Sequence, residues 1–123
     1  MLLATFLVAY AVCDFLLTPL GGFETRPVAE VTGLGIATLG VLFVGLALDI
    51  VSLALLIRRS RLGASVAIVG ALLYFPAALA DQTGHFSALR RPAAIAGFEL
   101  VQAVVALIVI ALGIWTLRSR GPA

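Results

Sequence analysis

Residues 31–57 read VTGLGIATLGVLFVGLALDIVSLALLI, and Asp49 is the single charged residue among them. A helix that crosses a bilayer needs about 20 mostly apolar residues, and this stretch exceeds that length. It ends at Arg58 and Arg59, whose charges are costly to place in hydrocarbon. It has no polar stripe that would face water along a helix. The stretch therefore predicts a transmembrane α-helix.

Three further stretches share this length and apolar character. They are residues 2–20, which carry only Asp14, residues 62–80, which carry no charge, and residues 93–117, which carry only Glu99. The connections between the stretches are short and rich in Gly, Pro and charged residues. The sequence therefore predicts an all-α integral membrane protein, in which residues 1–123 form one up-and-down bundle of four transmembrane helices.

The composition supports lipid rather than water as the surroundings. Hydrophobic residues make up 63% of the chain and charged residues 11%, and the mean hydropathy is +1.20. A soluble domain has about 45–50% apolar and about 25% charged residues, and a small one has too little interior to hide more. The net charge of +2 is too small to favour a nucleic-acid partner. We therefore expect the bilayer as the main partner, and no nucleic acid.

The arginines predict the orientation of the bundle. All eight basic residues are arginines. One side of the predicted bundle holds Arg58, Arg59, Arg61, Arg118 and Arg120, and the other holds Arg26, Arg90 and Arg91. Cytoplasmic loops carry the excess of basic residues, so the first side is predicted to be cytoplasmic. Both termini would then be cytoplasmic, in a plasma membrane of the bacterial type.

The acids inside the predicted helices are the first candidates for function. A carboxylate at the bilayer centre costs about 2.5–3.5 kcal/mol on insertion scales, so such a residue usually faces protein or water. Asp49 is about 13 Å from Arg58 along its helix, close to the middle of a hydrocarbon layer about 30 Å thick. Asp14 and Glu99 each lie about 10 Å below the opposite surface, so they could share one polar site.

Neighbouring polar residues extend this set. Tyr10 and Thr18 lie one helical turn on either side of Asp14, and Gln102 follows Glu99 by about one turn. The candidates for binding a proton or a ligand are Asp49, Asp14, Glu99, Gln102, Tyr10, Thr18 and Asp81. Buried carboxyls ionise less readily than exposed ones, which suits proton exchange near neutral pH. The alternative is that the acids pair with the arginines of the non-cytoplasmic side, or hydrogen-bond between helices as structural contacts.

The chain offers little for a cofactor or a metal ion. His85 is the only histidine and lies in a predicted loop, Cys13 is the only cysteine, and there is no Gly-rich phosphate loop. We therefore expect no cofactor and no metal site. Small residues are expected to let helices approach closely instead. These are Gly33, Gly35, Gly40, Gly45, Ala93 and Gly97.

One family resembles the first quarter of the chain. Asp14 followed by Thr18, and the loop Gly22-Phe23-Glu24-Thr25-Arg26-Pro27, are similar to the first helix and loop of the small multidrug resistance transporters. The resemblance implies four helices and a helix-one carboxylate that exchanges protons for cationic drugs. The acid is Asp here rather than the family's usual Glu, and residues 62–80 lack the family's tryptophan.

The favoured hypothesis is a small transport or ligand-binding bundle, whose carboxylates handle a proton, a cation or a small lipophilic molecule. Three alternatives stay open: an accessory subunit of a larger membrane complex, a membrane enzyme on a lipid-soluble substrate, and a proton-coupled exporter of the family just named. The enzyme would use Asp14 and Glu99 as acid and base. Because one such chain has little interior, we expect a homo-oligomer or a subunit of a complex.

Overall fold

The computed structural model describes residues 2–17, 31–58, 61–85 and 93–119. These residues form five α-helices, and no β-strand occurs among them. The helices are α1 Leu2–Leu17, α2 Gly33–Ile57, α3 Leu62–Leu72, α4 Phe75–Gln82 and α5 Ala93–Ser119. The predicted all-α class is confirmed.

Three segments are long and apolar enough to cross a membrane: α2, the segment Leu62–Gln82 that contains α3 and α4, and α5. The 27 residues of α5 extend about 40 Å at about 1.5 Å per residue, more than the hydrocarbon layer of about 30 Å. Helix α1 is equally apolar but has 16 residues. The predicted continuation of its span over residues 18–20 lies outside the described residues. These lengths indicate insertion into a membrane.

The helices form a closed ring around a common interior. Helix α1 packs on α2 and α5, and the pair α3 and α4 packs on the same two helices from the other side. Neighbouring helices are antiparallel. At one end of the bundle, the start of α1 lies beside the ends of α2 and α5. At the opposite end, the ends of α1 and α4 lie beside the first halves of α2 and α5. We call the first the lower end and the second the upper end.

Helices α2 and α3 approach each other closely. A Cβ atom on Gly45 would lie 2.9 Å from the carbonyl oxygen of Gly70, so only glycine fits at this crossing. Nearer the lower end, the Ser52 hydroxyl donates to the carbonyl oxygen of Gly63 at 2.7 Å. Contacts of this kind replace the hydrophobic effect as the force that joins helices in lipid.

The prediction that small residues mediate helix contact is right for Gly45 and wrong for three others. A Cβ atom on Gly33, Gly40 or Gly97 would have nothing within 4 Å. Small size permits close approach only where a neighbouring helix faces that side, and these three positions face away from the neighbouring helices.

The predicted third span is interrupted, which the sequence analysis did not anticipate. Helix α3 ends at Leu72 and α4 begins at Phe75, with Pro76 in its first turn. The proline has no N–H to bond the Leu72 carbonyl, and its ring would collide with that group in a continuous helix. The amide of Tyr74 bonds the Ala71 carbonyl instead, at 3.3 Å, in a tighter turn. Residue 74 consequently lies at the break between two helices.

Side chains connect the helix ends at both surfaces. At the upper end the Thr32 hydroxyl accepts from the Gly35 amide at 2.9 Å and donates to the carbonyl oxygen of the exposed His85 at 2.6 Å. At the lower end the Arg61 guanidinium donates to the Leu117 carbonyl at 2.5 Å. A cation is favourable there because the last carbonyls of a helix carry partial negative charge.

Candidate functional site

The bundle buries several polar side chains in its interior and exposes large apolar side chains on its surface. Its buried polar side chains are Asp14, Asp49, Ser52, Asp81, Glu99 and Gln102. Large apolar side chains face outward, with Ile57 80% exposed, Trp115 65% and Ile50 62%. A water-soluble protein buries such residues and exposes its charges. The outer surface is therefore suited to lipid, and the interior is where polar chemistry can occur.

A first polar cluster lies toward the upper end. The Gln82 amide donates to Glu99 Oε1 at 3.0 Å, and the Tyr74 hydroxyl donates to the Glu99 carbonyl oxygen at 2.7 Å. Glu99, Asp81 and Tyr74 also line a cavity of about 20 Å³. A cavity of that size holds about one water molecule. The break before Pro76 helps to place the Tyr74 hydroxyl against α5.

A second cluster lies below it, between α1 and α5. Gln102 is fully buried, and its amide nitrogen donates to the Tyr10 carbonyl oxygen at 3.0 Å. That bond holds the Gln102 side chain beside the Asp14 carboxyl. The geometry falls short of a well-formed hydrogen bond between the two side chains. Neither Asp14 oxygen, nor Gln102 Oε1, has a hydrogen-bond partner among the described residues.

Asp49 forms the third polar position, at the crossing of α2 and α3. Its carboxyl group rests on the backbone of Gly70, where a side chain would occupy the same space. The Tyr10 hydroxyl donates to the Gly70 carbonyl oxygen at 3.3 Å, so α1 meets α3 at the same point. Both Asp49 oxygens are buried and have no hydrogen-bond partner within the described part of the chain.

The carboxyl groups of Asp14 and Asp49 interact electrostatically with each other, and the Tyr10 hydroxyl interacts electrostatically with both. No arginine of the described residues forms an ion pair with either, since Arg58 and Arg118 are exposed at the lower end and Arg61 bonds Leu117. Two like charges in an apolar interior repel each other and lose their hydration. Protonation of one or both carboxyls removes that cost.

Below these positions the interior contains no further acid within the described residues. The Ser52 hydroxyl is already used by the Gly63 carbonyl. The buried side chains that fill this region are Leu3, Leu7, Ala64, Ala67, Ala106 and Val109. The polar side chains thus extend from the upper end to the level of Asp49 and Ser52, and an apolar layer separates them from the lower end.

The structure buries every candidate residue that it describes. Asp14, Asp49, Tyr10 and Gln102 are completely buried, and Asp81 and Glu99 are nearly so. Thr18 lies outside the described residues, as do the three arginines that were considered as partners of the acids.

That Asp14 and Glu99 share one polar site stays a prediction. Glu99 belongs to the upper cavity with Asp81, and Asp14 does not line that cavity. Asp14 instead lies beside Gln102 and within reach of Asp49. Gly70 was not among the residues predicted from the sequence. The signal for it was the run of small residues in α3, which predicts a face that packs closely on a neighbouring helix.

Comparison with known proteins found no matching family, no similar curated protein and no similar solved structure. The likeness to the small multidrug resistance transporters therefore rests only on Asp14, Thr18 and the loop that follows them.

Proposed function

We propose that this chain is a proton-binding membrane protein of the transport class, in which Asp14 and Asp49 take up and release a proton. The observation that carries the proposal is two completely buried carboxyl groups whose four oxygens lack a partner among the described residues. A buried charge without a partner costs several kcal/mol. A proton removes this charge and supplies a donor, which Gln102 Oε1 can accept.

The polar side chains provide a route for the proton from one side. In the proposed route the proton passes from Asp81 and Glu99, which line the water-sized cavity, to Asp14, and then past Tyr10, which interacts electrostatically with both acids, to Asp49. The apolar layer below Ser52 closes the other side in this conformation. A transporter must open its site to one side at a time, and this arrangement corresponds to access from the upper end.

The proposal includes four membrane spans, with residues 2–20 as the first and with both termini in the cytoplasm. The five arginines in residues 58–61 and 118–120 favour the lower end as the cytoplasmic end. A proton taken up at the upper end would then come from outside the cell. The small space beside the polar side chains favours assembly with further copies or with another membrane subunit, since the cavity of about 20 Å³ beside Asp81 and Glu99 admits no lipophilic substrate.

Infrared spectroscopy of the protein in lipid vesicles tests the proton site. We expect a carbonyl band from protonated carboxyl groups at neutral pH, which Asp14→Asn and Asp49→Asn each reduce and the double variant abolishes. Glu99→Gln is the matched control, because Gln82 already bonds that carboxyl group. The proposal fails if the band is absent from the wild type, or if it survives in the double variant.

Vesicles that contain a pH-sensitive dye test transport separately. The wild type should dissipate an imposed proton gradient, alone or with a co-transported cation such as a lipophilic dye. The double variant should not. Proton binding without any flux would support the accessory-subunit alternative instead.

A further inference from the structure

The lower end of the bundle contains a second, apolar cavity that the proposed proton site does not use. Its volume is about 380 Å³, and it opens between α1, α2 and α5. The residues that line it include Leu3, Ala4, Leu56, Ile57, Leu112 and Trp115. The walls are mostly apolar, with Thr116 as the one polar side chain among the residues that line them, so a hydrocarbon chain fits their chemistry.

Trp115 separates this cavity from an apolar groove on the outer face of α5. This groove is shallow and open, because α5 alone borders it, through Ala111, Ile114, Arg118 and Ser119 together with the same tryptophan. Trp115 is 65% exposed and borders both apolar spaces. Tryptophan is enriched at the depth where lipid headgroups meet hydrocarbon.

Arginines lie next to both spaces. Arg118 borders the groove, and Arg58 directly follows Ile57 in the wall of the cavity; both arginines are exposed. Residues 58–61 and 118–120 contain five arginines and no acid. The acids that the structure describes are all buried inside the bundle. Because these two segments contain no acid, an anion is the complementary partner.

We infer that the lower end binds a two-chain anionic phospholipid. One acyl chain occupies the cavity, the other lies along the groove, and the indole ring of Trp115 separates them. The phosphate group binds Arg118 and Arg58. Basic residues between transmembrane helices on the cytoplasmic side recognise anionic headgroups in this way. The inference needs membrane insertion but not the proton chemistry proposed above.

Trp115 is the only tryptophan of the chain, so its fluorescence reports on the site directly. The protein is placed in phosphatidylcholine vesicles that contain a small fraction of either brominated phosphatidylglycerol or brominated phosphatidylcholine. Bromine quenches tryptophan on contact. We expect stronger quenching by the anionic lipid at equal mole fraction, and a decline of that preference as salt screens the charges.

Two variants separate headgroup binding from chain binding. Arg118→Gln should reduce the preference for the anionic lipid about fivefold, the effect of about 1 kcal/mol per basic residue. Ala4→Phe should fill part of the cavity and reduce quenching by both lipids without changing their ratio. Arg26→Gln removes the same charge from the opposite predicted connection and should leave the ratio unchanged.

Equal quenching by the two lipids in the wild type would overturn the inference, because ordinary lipid contact with an exposed tryptophan would then explain the signal. Quenching that falls as the protein-to-lipid ratio rises would also overturn it, since a second copy of the chain would then cover the site. An equal loss of preference in Arg26→Gln would show that net charge, rather than this site, selects the lipid.

Discussion

Asp49 can lie at the crossing of α2 and α3 because residue 70 has no side chain. The Asp49 carboxyl group rests on the Gly70 backbone, and the carbonyl oxygen of Gly70 accepts from Tyr10. One glycine thus makes room for the acid and presents a hydrogen-bond acceptor. Residue 70 acts through the absence of a side chain rather than through a functional group.

Replacing Gly70 with alanine should therefore destabilise the bundle by about 1–3 kcal/mol, the usual cost of overfilling a packed interior. The new methyl group would fall on the Asp49 carboxyl and lie 3.1 Å from the Gly45 carbonyl oxygen. Thermal unfolding in detergent measures the change. Gly40→Ala is the matched control, because nothing lies within 4 Å of its Cβ position. It should leave stability unchanged or raise it by up to about 1 kcal/mol.

A double-mutant cycle identifies the contact itself. In an Asp49→Ala background the carboxyl group is gone, and Gly70→Ala should cost clearly less than in the wild type. An equal cost in both backgrounds would show that the Gly45 carbonyl, and not Asp49, limits the space.

At the scale of the element, the break between α3 and α4 matters most for the site. In a continuous helix over residues 62–82, the residues after Leu72 would have a different rotation and position from those that they have here. The break instead directs the Tyr74 hydroxyl to the Glu99 carbonyl at 2.7 Å. It also places the centre of the Tyr74 ring 6.3 Å from the centre of the Tyr10 ring, and the two rings meet edge to face. The upper cluster is consequently joined to α1 through two aromatic side chains.

Pro76→Ala should restore the missing hydrogen bond and make the two helices continuous. We expect slower amide hydrogen exchange over residues 72–78, because an N–H at residue 76 can then bond the Leu72 carbonyl. We also expect weaker coupling between Tyr74 and Glu99, measured as a smaller effect of Tyr74→Phe on stability in the variant than in the wild type. Unchanged exchange would mean that helix packing, rather than the proline, imposes the break.

At the scale of the whole molecule, the distribution of polarity is the reverse of that in a soluble protein. The acids and amides of the described residues lie in the upper and middle interior among apolar side chains, many leucines and isoleucines face outward, and the exposed described arginines lie at the lower end. The two ends therefore differ. The upper end contains Asp81, Glu99 and the small cavity that they line, while the lower end has an apolar layer and a positive surface.

Labelling with a membrane-impermeant maleimide tests the proposed orientation. In a Cys13→Ala background, cysteine is introduced at Thr83, near the upper end, or at Ser119, near the lower end; both positions are exposed. Thr83→Cys should react in intact cells, and Ser119→Cys only after the membrane is opened. The reverse pattern would invert the orientation, and labelling of both in intact cells would show that α5 does not span the membrane.

The sequence by itself determined that the chain is helical, that it enters a membrane and that a few polar side chains are its informative residues. Those conclusions follow from length and apolarity, which each segment carries without reference to its neighbours. Thr18 and the loop arginines stay predictions, since they lie outside the described residues.

Only the tertiary structure decided which polar groups meet. In a helix that is apolar on all sides, a single acid such as Asp14 has no periodic pattern around it to reveal which way it faces. The rotation of each helix is decided by packing, through positions such as Gly45 and Gly70. For that reason Asp14 lies beside Gln102 and interacts electrostatically with Asp49, while Glu99 accepts hydrogen bonds from Gln82 and Tyr74; similar depth in the membrane could not reveal these contacts.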